Sequence, residues 1–289
     1  MSDRIKIAVV QMEPKLMKSR ENLGSILSAA KEAAENHADL IVFPECSLSG
    51  YIFSSRQEAQ PFAETIPGPS TEKLVSLCQE LKVYVIFGLL EEHGDKLFNA
   101  AAFLGPHGLI GKYRKNHLPF LGVDRFVDIG NEPFQVYQTP IGNIGLQICY
   151  DVVFPESSRV MTLLGADVLV LPANFPQRRG EKVITYVVSA RAIENRVHVV
   201  VANRIGSERG YSFAGLSKIV DALGDILGLA SPDKEQIIYG EVSLDSARQK
   251  HVVLVPGEYE VNHIEDRRPE LYGVITEPNL PENADFVNS

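Results

Sequence analysis

Val83-Tyr84-Val85-Ile86-Phe87-Gly88-Leu89-Leu90, with Ala100 to Tyr113 (AAAFLGPHGLIGKY) shortly after it, decides the kind of fold this chain forms. Val83 to Leu90 is an apolar run with aromatic and β-branched members, which reads as a strand. Ala100 to Leu104 and Leu109 to Tyr113 flank a Gly-Pro-His-Gly turn at 105–108, the layout of a β-hairpin. Working towards the N-terminus, Ser70 reads as the N-cap of a helix over Thr71 to Leu81. Leu40 to Phe43 is a buried-strand pattern stopped by Pro44, and Leu23, Ile26, Leu27, Ala30 and Ala34 recur at helical spacing. Ile5 to Gln11 is an opening strand. The first part therefore alternates strand and helix, then turns to hairpins.

The remainder repeats that mixture. Phe134 to Gln138 and Ile144 to Cys149 read as a second hairpin about Pro140-Ile141-Gly142, with a helix beginning near Glu156. Asp167 to Leu171 and His198 to Ala202 are strands. Between them Lys182 to Asn195 reads as a helix with Val183, Tyr186, Val187, Ala190 and Ile193 on one face. Ser217 to Val220 and Ile226 to Ala230 form a third hairpin, and Ile237 to Val242 is a late strand. Hairpins imply antiparallel pairs, and helices with one apolar face cover one side of each sheet. The remaining sheet faces then pack together, so the expected fold is α/β, a four-layer α-β-β-α sandwich. Residues 1–254 are expected to form one domain. Residues 255–289 are polar and proline-punctuated, and are expected to form an extension that contacts a subunit partner.

The chain has 289 residues, a net charge of −9, 45% hydrophobic and 22% charged residues. These values exclude a disordered, collagen-like or disulfide-scaffold protein. No apolar stretch approaches the roughly 20 residues that span a bilayer. An acidic chain without a Lys/Arg cluster is a poor ligand for nucleic acid or an anionic membrane. Three cysteines and a polar N-terminus without a secretory layout fit a reducing, cytoplasmic setting. The seven histidines show no HxxxH or HExxH spacing, so a zinc hydrolase has no support and no metal or organic cofactor is expected.

Three segments place a reactive side chain at or just beyond a strand end. Glu45, in Phe43-Pro44-Glu45-Cys46, reads either as a strand-capping carboxylate or as a general base whose pKa is raised by apolar surroundings. Lys115, in Tyr113-Arg114-Lys115-Asn116-His117-Leu118, lies on a basic edge strand or points inward to stabilise an oxyanion. Cys149, in Cys149-Tyr150-Asp151-Val152-Val153-Phe154-Pro155-Glu156, is a buried structural thiol or a nucleophile among backbone N–H groups.

Taken together and in this order, FPE, YRKxHL and CYDxxFPE resemble the nitrilase (carbon–nitrogen hydrolase) superfamily. The resemblance extends over nearly the whole chain, through the opening AVVQ, Leu171 to Pro176 and Ala190 to Asn195. It implies the same sandwich, homodimers or larger homo-oligomers, and Glu45 as general base, Lys115 as charge-stabilising lysine and Cys149 as nucleophile. Tyr150, Asp124, Tyr51, Asn174 and Phe175 are expected to bind substrate or oxyanion. Asp124 is the candidate for the place of a second family glutamate that this chain lacks. The chain has no tryptophan, whereas nitrilases proper usually carry one after the cysteine, so the motif looks more like the amidase branches. Val152-Val153 stands where several amidases have an arginine, which argues against an acidic substrate group. The expected substrate is a small amide, with ureido compounds and nitriles as alternatives.

Overall fold

In β1 (Arg4–Gln11), Ile5, Ile7 and Val9 enter one core while Ala8 and Val10 enter another, following the two-residue period of a strand. A strand buried on both faces needs a layer on each side, and the described residues, 3–277, supply both. In this computed structural model β1 is followed by α1 (Ser19–Glu35), β2 (Leu40–Val42), a short α2 (Arg56–Ala59) and α3 (Pro69–Leu81). Next come β3 (Tyr84–His93), β4 (Lys96–Gly105) and β5 (Gly108–Arg114). The second sheet begins with β6 (Val136–Thr139) and β7 (Gly142–Leu146), then α4 (Pro155–Leu163) and β8 (Val168–Ala173). A continuous helical rod follows, made of α5 (Arg179–Lys182), a π turn (Val183–Val187) and α6 (Val188–Asn195). It leads to β9 (His198–Asn203), a small ribbon of β10 (Ser207–Glu208) and β11 (Tyr211–Ser212), then β12 (Lys218–Val220), β13 (Ile226–Leu229), β14 (Gln236–Ser243) and α7 (Leu244–Arg248).

Two six-stranded sheets result, ordered β14-β1-β2-β3-β4-β5 and β13-β12-β9-β8-β7-β6. Each has three parallel strands at its centre, β1-β2-β3 and β7-β8-β9, and antiparallel strands outside. One core unites Ile7, Val9, Val42 and Ile86 of the first sheet with Ile144, Leu146, Val168 and Val170 of the second, so the sheets pack face to face. The outer face of the first sheet is closed by Ile26 and Ala30 of α1 and Leu74 and Leu77 of α3. Met161 of α4, with Val188 and Ala192 of α6, closes the second. This is the expected four-layer α-β-β-α sandwich. No helix among the described residues is long and apolar enough to cross a membrane.

Three local expectations need correction. The apolar face of the Lys182–Asn195 helix is displaced: Tyr186 is 70% and Ile193 48% exposed, whereas Ile184, Val188, Arg191, Ala192 and Asn195 are buried. The π turn adds a residue to one turn, which rotates every later side chain by about a quarter of a revolution relative to a regular 3.6-residue period. Lys218 holds that widened turn, donating from its buried ammonium to the carbonyls of Ile184 and Thr185 (3.2 and 3.3 Å) and to Ser189 Oγ (3.0 Å). Second, the strand leading to Cys149 ends at Leu146, and Cys149 begins a 3-10 turn over Cys149–Val153. Third, α3 starts at Pro69 and is capped through Thr71, whose hydroxyl accepts from Gly68 N at 2.6 Å, while Ser70 bonds Glu64.

A separate unit starts at Lys250. Its described part contains the antiparallel hairpin of β15 (His251–Val255) and β16 (Tyr259–Asn262), so Val255, where the extension was expected to start, is the last residue of β15. The end of that extension, 278–289, lies outside the described residues.

Candidate active site

The segments that follow β2, β5, β7 and β8 converge. Glu45 is held where its backbone crosses β3 at Gly88, whose N–H donates to Pro44 O (3.2 Å) and whose carbonyl accepts from Leu48 N (3.3 Å) and Ser47 Oγ (3.1 Å). A Cβ at position 88 would stand 2.6 Å from Glu45 Cα and 2.4 Å from Cys46 N, so only glycine permits this crossing. Lys115, one residue past β5, is fixed by its N–H to Asn99 O (2.8 Å) and its carbonyl to Gly130 N (2.9 Å). Cys149 has φ +47°, a left-handed conformation that costs a non-glycine residue about 1–2 kcal/mol. The turn that imposes it is clamped by Asp151, whose Oδ2 accepts from Ile148 N (2.9 Å) and from Tyr113 OH (2.8 Å). Asn174, just after β8, donates from Nδ2 to Glu45 O at 2.9 Å, tying the second sheet to the first.

The ionisable groups form one buried network. Lys115 Nζ donates to Glu45 Oε1 and to Asp124 Oδ2, each at 2.6 Å, and all three side chains are inaccessible to solvent. Asn99 Nδ2 donates to the same two carboxylates, to Glu45 Oε1 at 2.7 Å and Asp124 Oδ1 at 2.8 Å. Tyr51 OH donates to Asp124 Oδ2 at 2.7 Å. One Glu45 oxygen, Oε1, is thus saturated, while the other, Oε2, is buried without a hydrogen-bond partner. Asn174 Oδ1 is likewise buried and unpartnered. Orphaned acceptors of this kind are uncommon, and each asks for a donor.

Burial and charge set the protonation states. Burial pushes Glu45 above the usual carboxylate range, and Asp124 adds to the rise against the opposing pull of Lys115. Burial alone would lower Lys115, yet the carboxylates of Asp124 and Glu45 outweigh it and hold the ammonium well above its ordinary value. The Cys149 thiol is raised well above normal by burial and then by Glu45, with Lys115 and the Asn174 backbone N–H working the other way. Burial thus works against charge on both the Glu45 carboxyl and the Cys149 thiol, while the Lys115 ammonium is held in its protonated form.

Above it opens a cavity of about 310 Å³, at the small end for ligand sites. Of the sequence-predicted residues, Tyr51, Cys149, Tyr150, Asn174 and Phe175 line it. Glu45, Lys115 and Asp124 do not line the cavity and lie within the buried network. Among the described residues, no group of three or more His, Cys, Asp or Glu side chains is arranged to hold a metal ion.

Three contributors escape the sequence reading. Asn99 links both carboxylates, and it also accepts from Cys46 Sγ at 3.5 Å, so Cys46 belongs to the wall behind Glu45. Its one signal is a lone amide within the apolar Leu97–Leu104 run of β4. Asp151 also accepts from His117 N (3.0 Å) and pairs with His117 Nδ1 (2.7 Å), while the His117 ring stacks on Phe154 at 3.9 Å. Finally, the fully buried Arg204 pairs with Glu208, whose Oε2 accepts from the N–H groups of Tyr51 (3.0 Å) and Ile52 (2.8 Å). That ion pair anchors the segment carrying Tyr51, and nothing in the local sequence marks it.

The sandwich has known counterparts. The carbon–nitrogen hydrolase family model matches residues 6–251, and the chain belongs to that family. It is 37% identical over 270 residues to a nitrilase of Pyrococcus abyssi, covering 93% of this chain and 99% of that one. It is also 31% identical over 277 residues to an omega-amidase of Mus musculus, covering 91% and 99%. Among solved structures, a carbon–nitrogen hydrolase from Helicobacter pylori G27 superposes with a TM-score of 0.84 at 24% identity, covering 95% and 99%. An amidase from Nesterenkonia sp. AN1 bearing the acetamide moiety of fluoroacetamide on its active-site cysteine superposes at 0.76 and 23% identity, covering 93% and 95%.

Proposed function

We propose that this carbon–nitrogen hydrolase cleaves the C–N bond of a small amide through a thioester on Cys149. The observation that carries this reading is the half-free carboxylate: Glu45 Oε1 is pinned by Lys115 and Asn99, and Oε2 is left to accept a proton. Oε2 takes the thiol proton as the sulfur attacks the carbonyl carbon. Ionisation is thereby coupled to attack, which a thiol raised by burial requires. The developing oxyanion is met by the Lys115 ammonium and by the N–H of Tyr150, since the first N–H groups of a helical turn lie outside its own hydrogen bonds. Glu45 returns the proton to the leaving nitrogen, and ammonia or an amine departs as the C–N bond breaks. Water, deprotonated by the same carboxylate, then adds to the thioester carbon. Collapse releases the carboxylic acid and restores the thiol. Asn174 Oδ1 is an acceptor for the substrate's NH2 group, and Asp124 keeps Lys115 charged and aimed.

Ammonia release from a panel of amides, N-carbamoyl compounds and nitriles tests the reading. Amides are expected to turn over, and Cys149→Ala and Lys115→Ala to lose activity while remaining folded. Turnover of nitriles with inert amides, or full activity in Cys149→Ala, would overturn it. The proposed homodimer, with residues 255–289 reaching the partner, is checked by light scattering of the full chain and of a chain ending at residue 254.

A further inference from the structure

Lys218, at the start of β12, is a buried cation that the proposed chemistry does not use. Its three hydrogens go to Ile184 O, Thr185 O and Ser189 Oγ, and no carboxylate among the described residues pairs with it. Burial accordingly lowers it from the ordinary lysine range. An ammonium buried without a counter-charge is costly unless dipoles solvate it, and here the dipoles are carbonyls of the π turn. Its base is rigid as well. Ser217 N donates to Gln11 Oε1 (2.9 Å), and Asn203 N donates to Ser217 Oγ (3.0 Å). Asn203 Oδ1 in turn accepts from Phe175 N at 2.8 Å, which joins this seat to a residue of the cavity wall.

The π turn sets the phase between the two ends of the rod. Near the first end Arg179, Gly180 and Val183 line the cavity. Towards the other, Arg191 donates from Nε to Val152 O (2.9 Å) and from Nη2 to Val153 O (3.1 Å). Those carbonyls belong to the last two residues of the turn that Cys149 begins. On a regular helix, at about 100° per residue, Val188, Arg191 and Asn195 would lie about 140°, 80° and 120° around the axis from Val183. With one residue absorbed by the π turn, all three fall within about 40° of it. All four are buried, as that shared face requires. We infer that Lys218 is a positioning residue for Cys149: by pinning the widened turn, it keeps the cavity wall and the Arg191 clamp on one face of the rod. Its effect on rate rests on the amide-hydrolysis reading above, whereas its effect on the thiol rests on the geometry alone.

The test uses two variants of the full chain. Lys218→Met keeps the length of the side chain and removes its donors, so the turn loses its pin, the phase slips and Arg191 leaves Val152 and Val153. Displacing a reacting group by about 1 Å lowers turnover about 100-fold, so kcat for an amide is expected to fall roughly 10- to 100-fold per folded molecule. Alkylation of Cys149 by iodoacetamide, which needs no substrate, is expected to slow, and hydrogen exchange over 149–153 and 183–187 to quicken. The second variant combines Lys218→Met with deletion of Thr185, an exposed residue inside the π turn. Removing one residue makes the rod regular and restores the original phase, so kcat and alkylation are expected to recover although the lysine is gone. A lysine that merely stabilises the fold would not be replaced by a shorter helix. Wild-type kcat or wild-type alkylation in folded Lys218→Met, or no recovery on deleting Thr185, overturns the inference. If Lys218→Met does not fold, the deletion variant decides: alkylation at the wild-type rate supports the phasing role, and an unfolded or unreactive protein refutes it. If the wild type hydrolyses no amide, the reaction reading fails, and alkylation and exchange still decide the role of Lys218 by the same outcomes.

Discussion

Replacing Gly88 by alanine perturbs the candidate base without touching any ionisable group. The added Cβ would stand 2.6 Å from Glu45 Cα, 2.6 Å from Pro44 O and 2.4 Å from Cys46 N, all of them backbone atoms without a rotamer to yield. Ordinary carbon contacts begin at about 3.5 Å, so the loop must retreat by close to 1 Å. It cannot retreat freely, because Gly88 N to Pro44 O, Leu48 N to Gly88 O and Ser47 Oγ to Gly88 O all join the loop to β3. Overpacking of this kind costs about 1–3 kcal/mol of stability. The retreat also withdraws Glu45 from Lys115 and Asn99, which stay fixed by the Lys115 N to Asn99 O bond. Misplacing a reacting group by that distance lowers turnover about 100-fold. The assay is kcat and KM for an amide, with the folded fraction measured by denaturant titration. Gly88→Ala is expected to reduce kcat far more than its loss of folded protein explains. A folded variant with wild-type kcat would refute the reasoning, because the base would then be insensitive to the crossing said to position it.

Asp124→Asn removes a negative charge that helps push Glu45 up and leaves Lys115 paired to Glu45. The acid limb of the kcat/KM profile is expected to move to lower pH, since less protonation pressure remains on the base; a limb that stays put or rises contradicts this. Glu208→Gln leaves the buried Arg204 without its counter-charge and is expected to cost about 3–5 kcal/mol in urea unfolding, with Arg204→Met/Glu208→Gln recovering part of it. Equal stability of single and double variants would argue against a paired role. Asp151→Ala frees Ile148 N, Tyr113 OH and His117 from the Cys149 turn. Slower alkylation of Cys149 by iodoacetamide is expected, with about 2 kcal/mol or more of lost stability from the stranded donors, and unchanged alkylation would oppose it.

The layers are legible in the sequence because two-residue alternation in β1 and helical spacing in α1 each demand a partner surface. Glu45, Lys115 and Cys149 are legible as strand-end residues in marked motifs, and the structure brings Glu45 and Lys115 into direct contact. Sheet order is not legible, since β14 pairs with β1 from more than two hundred residues away and no local pattern encodes that choice. The face of the α5–α6 rod is misread because the π turn breaks the period on which the reading depends. Asn99 is hidden for a different reason: a buried amide in a strand shows its purpose only when its partners, 54 and 25 residues away, are in place.

Glu45, Asn99, Lys115 and Asp124 belong to the first sheet and its connections, whereas Cys149 and Asn174 follow strands of the second. The proposed base and the proposed nucleophile are thus mounted on opposite plates, with Ile7, Val9, Ile144, Leu146, Val168 and Val170 packed in the layer between those plates. A methylene removed from any of these works as a thinner shim beneath the chemistry. On the proposed mechanism, substitutions in this apolar interlayer, remote from every reacting atom, are expected to act as a graded adjustment of the rate.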